Sequence, residues 1–364
     1  MRRLLVALTI AAAVAGGVHV RAGDQTSTAL AAPDDLVFVR LGAYLEALRV
    51  QAGIPGMAAA VVGQNDILWE YAAGQADVAR AIPARTDTPV HFDGISQVVT
   101  AMLTLRCVEG GWLSLDQKIG QFDGGAADPN ATIGQLLTHT SGTSANPVFQ
   151  YNLDRLASLR QALGACIDAG LPDDFAAWLD RLAMIDSVPG ADIINRQPTT
   201  NGTFPTVAAL ERYKASLARL AVPYAVDAKG RPSMSQYPSS TLTPSGGLIT
   251  TVRDYAKFDV ALRQGIMLKP DTLQAAWTPP LGKDGQRLPH GYGWFVQSYN
   301  GEPVVWQFGA GVNASSSLLI TLPARGITLI LVANSDGLAK PASLGAGDVT
   351  VSPFAKVFLA LVVK

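Results

Sequence analysis

The sequence predicts an α/β fold of the α+β kind, in which both ends of the chain contribute to one antiparallel sheet and a mainly helical segment is inserted between them. Three observations predict it. Two strand-like apolar runs stand early, Met57–Val62 and Ile67–Tyr71, joined by the turn Gly63-Gln64-Asn65-Asp66. Four more stand late, Gly293–Tyr299, Val304–Phe308, Ser315–Leu322 and Ile327–Asn334, with hairpin signals at Asn300-Gly301 and Pro323-Ala324-Arg325-Gly326. Between them, from 112 to about 245, the pattern is helical or loop-like with few strand runs. The order gives a sheet domain from 32–93 and 246–364 and a mainly helical domain from 94–245.

The chain opens as a leader. Arg2-Arg3 precede an apolar stretch, Leu4 to Val18, that is short for a membrane span, and Ala29-Leu30-Ala31 is a small-residue cleavage site. This predicts a signal peptide over 1–31 and a secreted or periplasmic protein; retention in the membrane through an uncleaved leader is the alternative. A helix follows over 34–52, its apolar residues Leu36, Val39, Tyr44, Leu45 and Leu48 recurring near helical spacing. Gly53-Ile54-Pro55-Gly56 ends it. A long helix runs from Ser96 to about Glu109 and stops at Gly110-Gly111. The inserted segment holds helical patterns at Leu156–Ala169, Asp173–Met184 and Val207–Leu220, with long loops at 188–206 and 227–247. Thr251–Gln264 forms another helix, and a last one closes the chain over about 351–363.

Composition bounds the function. With 48% hydrophobic and 16% charged residues the 364-residue chain is globular. A net charge of −1 with no Lys/Arg block gives no basis for nucleic-acid binding. The four histidines, at 19, 91, 139 and 290, have no metal-ligand spacing, and no cofactor motif occurs. Cys107 and Cys166 can pair after export or serve as small core residues; the sequence leaves both open.

The motifs carry more. Ile133-Gly134-Gln135-Leu136-Leu137-Thr138-His139-Thr140-Ser141-Gly142 is very similar to the "I-x-x-L-L-T-H-T-S-G" string of the serine β-lactamase and penicillin-binding-protein family. Ile54-Pro55-Gly56, Val108-Glu109-Gly110-Gly111-Trp112-Leu113-Ser114-Leu115-Asp116, Thr243-Pro244-Ser245-Gly246-Gly247-Leu248 and Gly291-Tyr292-Gly293-Trp294 resemble other parts of that family, over about residues 37–337. The resemblance implies a β-lactamase/transpeptidase-like fold.

The stretch from Asp87 to Ala101 resembles the family's nucleophile segment, D-T-x-F-x-I-x-S-x-x-K-x-x-T-A, yet the serine position is Gly94 and the lysine position is Gln97. None of the nine lysines has Ser or Thr three residues before it. The pair works because residues i and i+3 share a helix face, so the lysine can take the serine's proton beside the helix N-terminus. Glycine has no attacking oxygen, and a glutamine amide is no base at neutral pH. In the second box, Phe149-Gln150-Tyr151-Asn152-Leu153 resembles "F-x-Y-S-N": Tyr151 fits and Leu153 replaces the asparagine. In the third, Trp306-Gln307-Phe308-Gly309 puts Gln307 where a cation or imidazole stands, while Gly309 is kept.

These departures predict a pseudoenzyme: a family member without the usual chemistry, whose cleft persists and binds a peptidoglycan fragment, a D-amino-acid peptide, another acyl compound or a protein partner through Gly94, Gln97, Tyr151, Gln307, Phe308 and Gly309. The alternative is an active hydrolase with Ser96 as nucleophile, assisted by Tyr151. His139 reads as a structural residue of its loop, and the triad residue types in His91-Phe92-Asp93 beside Ser96 are too crowded to converge as a triad.

Overall fold

The computed structural model describes residues 35–141, 148–167, 170–199, 204–340 and 342–363. The predicted leader and its cleavage site lie outside the described residues. Helix α1 (Asp35–Gln51) is followed by strands β1 (Gly56–Val62), β2 (Ile67–Asp77) and β3 (Ile82–Pro83). Then come β4 (Val90–His91) and α2 (Ser96–Glu109). The inserted part holds α3 (Ile133–Leu137), α4 (Leu159–Leu163), α5 (Leu171–Arg181), β5 (Val188–Pro189), α6 (Val207–Leu217), β6 (Tyr224–Val226) and β7 (Pro232–Met234). The chain ends with β8 (Leu248–Thr250), α7 (Val252–Arg263), α8 (Pro270–Ala276), β9 (Phe295–Tyr299), β10 (Glu302–Gly311), β11 (Ser315–Leu322), β12 (Ile327–Ala333) and α9 (Pro353–Val362).

The main sheet has the order β3-β2-β1-β12-β11-β10-β9, antiparallel throughout. Early and late strands therefore share one sheet, as the sequence predicts. The central strands are apolar without interruption because both faces are covered. In β1, Met57, Ala59 and Val61 point to a core shared with α1 and α9, while Ala58, Ala60 and Val62 point to the core under α2 and α7. The same alternation divides Leu318 and Ile320 from Leu319, and Leu329 and Leu331 from Ile330 and Val332. Each buried Val, Leu, Ile or Met among them stabilises the fold by roughly 1.5–3 kcal/mol relative to exposure.

Several elements differ from the sequence expectation. Helix α1 presents Phe38, Leu41 and Leu45 to the core, while Leu36, Val39 and Tyr44 stand in solvent. The helix is apolar on nearly every side, so spacing alone fits more than one face; Phe38, stacked on Trp69 of β2, marks the buried one. The long helix expected over Leu156–Ala169 is a 3₁₀ segment, Leu153–Ser158, running into the five-residue α4. The Asn152 side chain starts it by accepting from Asp154 N–H, and residues 168–169 fall outside the described set. Helix α5 starts before Asp173, with Pro172 in its first turn, and stops short of Ala183, whose φ is +51°. Helix α6 ends at Leu217 rather than Leu220. The expected loops carry the short strands β5 and β7: β5 pairs with β8, whose other neighbour is β4, and β7 pairs with β6.

Cys107 and Cys166 are joined, Cα to Cα 5.8 Å, across a separation of 59 residues. The bridge ties the last turn of α2 to the segment after α4. In a chain-entropy model a loop of that length stabilises by about 4 kcal/mol.

Candidate functional site

Strand β4 pairs with β8, and Phe92 N–H continues the pairing to Leu248 O. The chain then makes one 3₁₀ turn, Asp93–Ile95, and enters α2. Gly94 sits in that turn, at the α2 N-terminus, where the resemblance puts the nucleophile. β10 runs directly across it. A Cβ on Gly94 would lie 2.9 Å from Phe308 O and 3.5 Å from Leu153 Cδ1, so the residue in the asparagine place packs onto the nucleophile position. A Cβ on Gly309 would lie 2.2 Å from Phe92 O, 2.4 Å from Ser317 Oγ and 3.0 Å from Gly94 N. Two facing glycines thus let strand and turn meet backbone to backbone.

Two of three consecutive β11 serines, Ser315 and Ser317, hold the seam, and Ser316 between them bonds away from it on the other side of the strand. Ser317 Oγ donates to Phe92 O at 2.8 Å, Ser315 Oγ donates to Asp93 Oδ2 at 2.6 Å, and Ser316 Oγ donates to Ser335 O at 2.6 Å. Asp93 is buried at φ +47°, and burial pushes its carboxyl up to about 7 against the Ser315 and Gly311 hydrogen bonds. Its neighbour His91 is stacked on Tyr237, ring centroids 3.9 Å apart, and burial lowers that imidazole to about 4.

The matched boxes come together as a neutral chain. Asn152 N–H donates to His139 Nδ1 at 3.2 Å, which leaves the ring proton on Nε2. His139 Nε2 then donates to Gln97 Oε1 at 3.0 Å, and Gln97 Nε2 donates to the Tyr151 hydroxyl oxygen at 2.9 Å. Gln97 and His139 are 2% and 1% exposed. Burial lowers His139 to about 4 and raises the Tyr151 phenol far above its ordinary range. Both nitrogens of His139 are committed, so neither offers a lone pair to an incoming proton. On the strand side, Gln307 Nε2 donates to Gly293 O at 3.1 Å and faces His290 Nε2 at 3.3 Å, while Gln307 Oε1 accepts from Phe308 N–H at 2.9 Å. His290 Nδ1 lies 2.7 Å from Gly291 O and carries the proton there. The rings of His139 and His290 are 4.7 Å apart and edge-on.

The structure therefore brings together Gly94, Gln97, Tyr151, Gln307, Phe308 and Gly309. Tyr151 is half-buried and the other five are buried. Phe308–Gly309 is in direct contact with Phe92–Gly94. The contact is possible because neither Gly94 nor Gly309 carries a side chain. Ser96 is buried and its Oγ accepts Leu248 N–H at 3.2 Å. His91 and Asp93 do not pair in a triad, since Asp93 bonds Ser315 and His91 stacks on Tyr237. Sequence reasoning missed His290 and the serine clamp. The run Ser315-Ser316-Ser317 inside an apolar strand was the available signal, because consecutive buried hydroxyls demand partners. Among the described residues no group of side chains could hold a metal ion, and no helix is long and apolar enough to cross a membrane.

Comparison with known proteins gives the fold and the family. The family model described as Beta-lactamase matches residues 40–180 and 197–349. The chain is 25% identical over 324 residues to penicillin-binding protein 4 of Amycolatopsis lactamdurans, covering 79% of this chain and 83% of that one. It is 32% identical over 112 residues to esterase EstB of Burkholderia gladioli, 28% of each chain. Among solved structures, the octameric penicillin-binding protein homologue of Pyrococcus abyssi superposes with a TM-score of 0.68 at 18% identity, over 82% of this chain and 74% of that one. The D-amino acid amidase of Ochrobactrum anthropi SV3 superposes with a TM-score of 0.67 at 18% identity, over 89% and 98%. The structural likenesses carry the fold, the family model spans well over half the sequence, and by that match this chain belongs to the beta-lactamase family.

Proposed function

We propose that this protein is an exported, catalytically silent member of its family that acts by binding rather than by acyl transfer. The observation that carries this is the Gly94 seam: no hydroxyl stands at position 94, and Phe308 O occupies the space beside it. The neutral chain His139–Gln97–Tyr151 adds that no base replaces the missing lysine. In hydrolases built on such a unit, losing one member costs about 10⁴ to 10⁶ in turnover. The alternative, Ser96 as nucleophile, needs a hydroxyl that is 1% exposed and already accepting Leu248 N–H to reach a substrate.

A cell-wall peptide, a D-amino-acid peptide or another acyl compound is the ligand class that the relatives' names support, with a protein partner as the other reading. Such a ligand would meet the outer rim of the seam, near Tyr151, unless β10 moves. Export is supported by the basic and apolar leader and by the Cys107–Cys166 bridge, which suits an oxidising compartment.

Steady-state turnover tests the proposal. Native protein with a chromogenic cephalosporin and a nitrophenyl ester is expected to match the buffer rate. Gly94→Ser combined with Gln97→Lys is expected to stay there too. The serine Cβ meets Phe308 O, and a lysine ammonium faces His139 Nε2–H donor to donor. Overpacking should cost the double variant about 1–3 kcal/mol in a denaturant titration. Protein-dependent turnover by the native chain contradicts the silent reading; turnover by the double variant alone shows that the seam opens.

A further inference from the structure

On the surface of the inserted segment, a groove of about 350 Å³ runs between the C-terminal half of α2 and α5. It is lined by Arg106, Trp112, Asp174, Trp178, Arg181 and the Cys107–Cys166 bridge. Three features separate it from an ordinary surface dent. First, the guanidinium groups of Arg106 and Arg181 both lie over the Trp178 indole, 4.6 Å and 5.1 Å from its centroid. Second, the charge does not cancel: two cations face one half-buried carboxylate, Asp174. Third, Trp112 is 66% exposed yet held in place. A Cβ on Gly110 would lie 2.8 Å from Trp112 Cδ1. Gly110 has an ordinary helical φ of −78°, so the backbone conformation does not call for glycine there, whereas the indole does.

An exposed indole beside two guanidinium groups offers a flat apolar face on which a ring can stack. Arginine donors present a flat fork suited to a carboxylate. The volume matches a ligand of one ring, at the small end of ordinary binding sites.

We propose that this groove binds a small ring compound bearing a carboxylate. Trp112 stacks on the ring, and Arg181, with Arg106 behind it, takes the carboxylate. The ring can be aromatic or a sugar acid, since both present a flat apolar face beside the anion. The site lies apart from the Gly94 seam, so it holds whether or not the silent reading does.

Isothermal calorimetry with benzoate, D-glucuronate and the uncharged benzamide tests it. Native protein is expected to bind at least one of the two acids saturably with a Kd of about 1 mM or tighter. Benzamide should bind at least about fivefold more weakly than benzoate, the effect of losing roughly 1 kcal/mol of charged contact. Trp112→Ala and Arg181→Ala should each weaken the acid by a similar factor. Both side chains are exposed, so far-UV circular dichroism and the melting temperature should stay unchanged. Binding of benzoate alone assigns an aromatic acid, and of glucuronate alone a sugar acid. Absence of saturable binding by both acids, binding unaffected by either substitution, or benzoate and benzamide binding equally overturns the proposal.

Discussion

Gly309→Ala is expected to destabilise the protein by about 3 kcal/mol, the high end for overpacking, because nothing near the new methyl can give way cheaply. The Cβ would stand 2.2 Å from Phe92 O, 2.4 Å from Ser317 Oγ and 3.0 Å from Gly94 N. Two of these are backbone atoms, and the third is a serine already bonded to Phe92 O. Relief requires β10 to lift from the turn, which breaks that hydrogen bond and the packing of Phe308. The control is Gly124→Ala: Gly124 has no atom within 4 Å of its Cβ position and no positive φ, so the change should be within about 0.5 kcal/mol. Denaturant midpoints of the two variants decide the matter. A Gly309→Ala protein as stable as native would mean that the strand does not rest on the nucleophile turn.

The second large effect is on pH dependence, and two residues of one tripeptide should carry opposite signs. His91 is buried and neutral, its folded value lowered to about 4 by burial. Unfolding restores a value near 6.5, so its contribution is complete above about pH 6.5 and is lost as pH falls toward 4. His91→Phe keeps a ring against Tyr237 and removes the proton site. It should be more stable than native by about 2 kcal/mol at pH 5, relative to the difference between them at pH 8. Asp93 runs the other way. Its folded value is raised to about 7 by burial, so its contribution is present below about pH 4 and is lost as pH rises through 7. Asp93→Asn should therefore gain on native as pH rises from 4 to 8, by roughly 4 kcal/mol at the ceiling. Stability curves at pH 5 and pH 8 for the three proteins give both slopes. Parallel curves would show that these groups are hydrated rather than sealed beneath the seam. His139 and His290, both lowered by burial, share the sign of His91, and charging either ring works against the other at 4.7 Å.

How far the sequence reached depends on what each residue's signal encodes. The uninterrupted apolar run Met57–Val62 marks a strand buried on both faces, and its order with Ser315–Leu322 and Ile327–Asn334 was enough to place early and late strands in one sheet. The apolar face of α1 was not readable, because Leu36 and Val39 fit a helical stripe as well as Phe38 and Leu41 do. Only contact with Trp69 distinguishes them. Strands of two or three residues, such as β4 and β5, carry no period to detect. In the site, the spacing that assigns Gly94, Gln97, Tyr151 and Gln307 to matched positions is a local property and was legible. The close approach of β10 to the nucleophile turn was not. It depends on Gly94 and Gly309 facing one another, which no single segment specifies. The same holds for His290, a lone histidine in sequence that becomes the neighbour of Gln307 and His139 only through the fold.

Covalent trapping tests the central claim most directly. The native protein would be incubated with a fluorescent penicillin and, separately, with a fluorophosphonate, and its intact mass then measured. With no hydroxyl at position 94 and no base at 97, the unmodified mass is the expected result in both cases. An added acyl or phosphonyl mass mapped to Ser96, Tyr151 or any other hydroxyl at the α2 terminus would contradict the account.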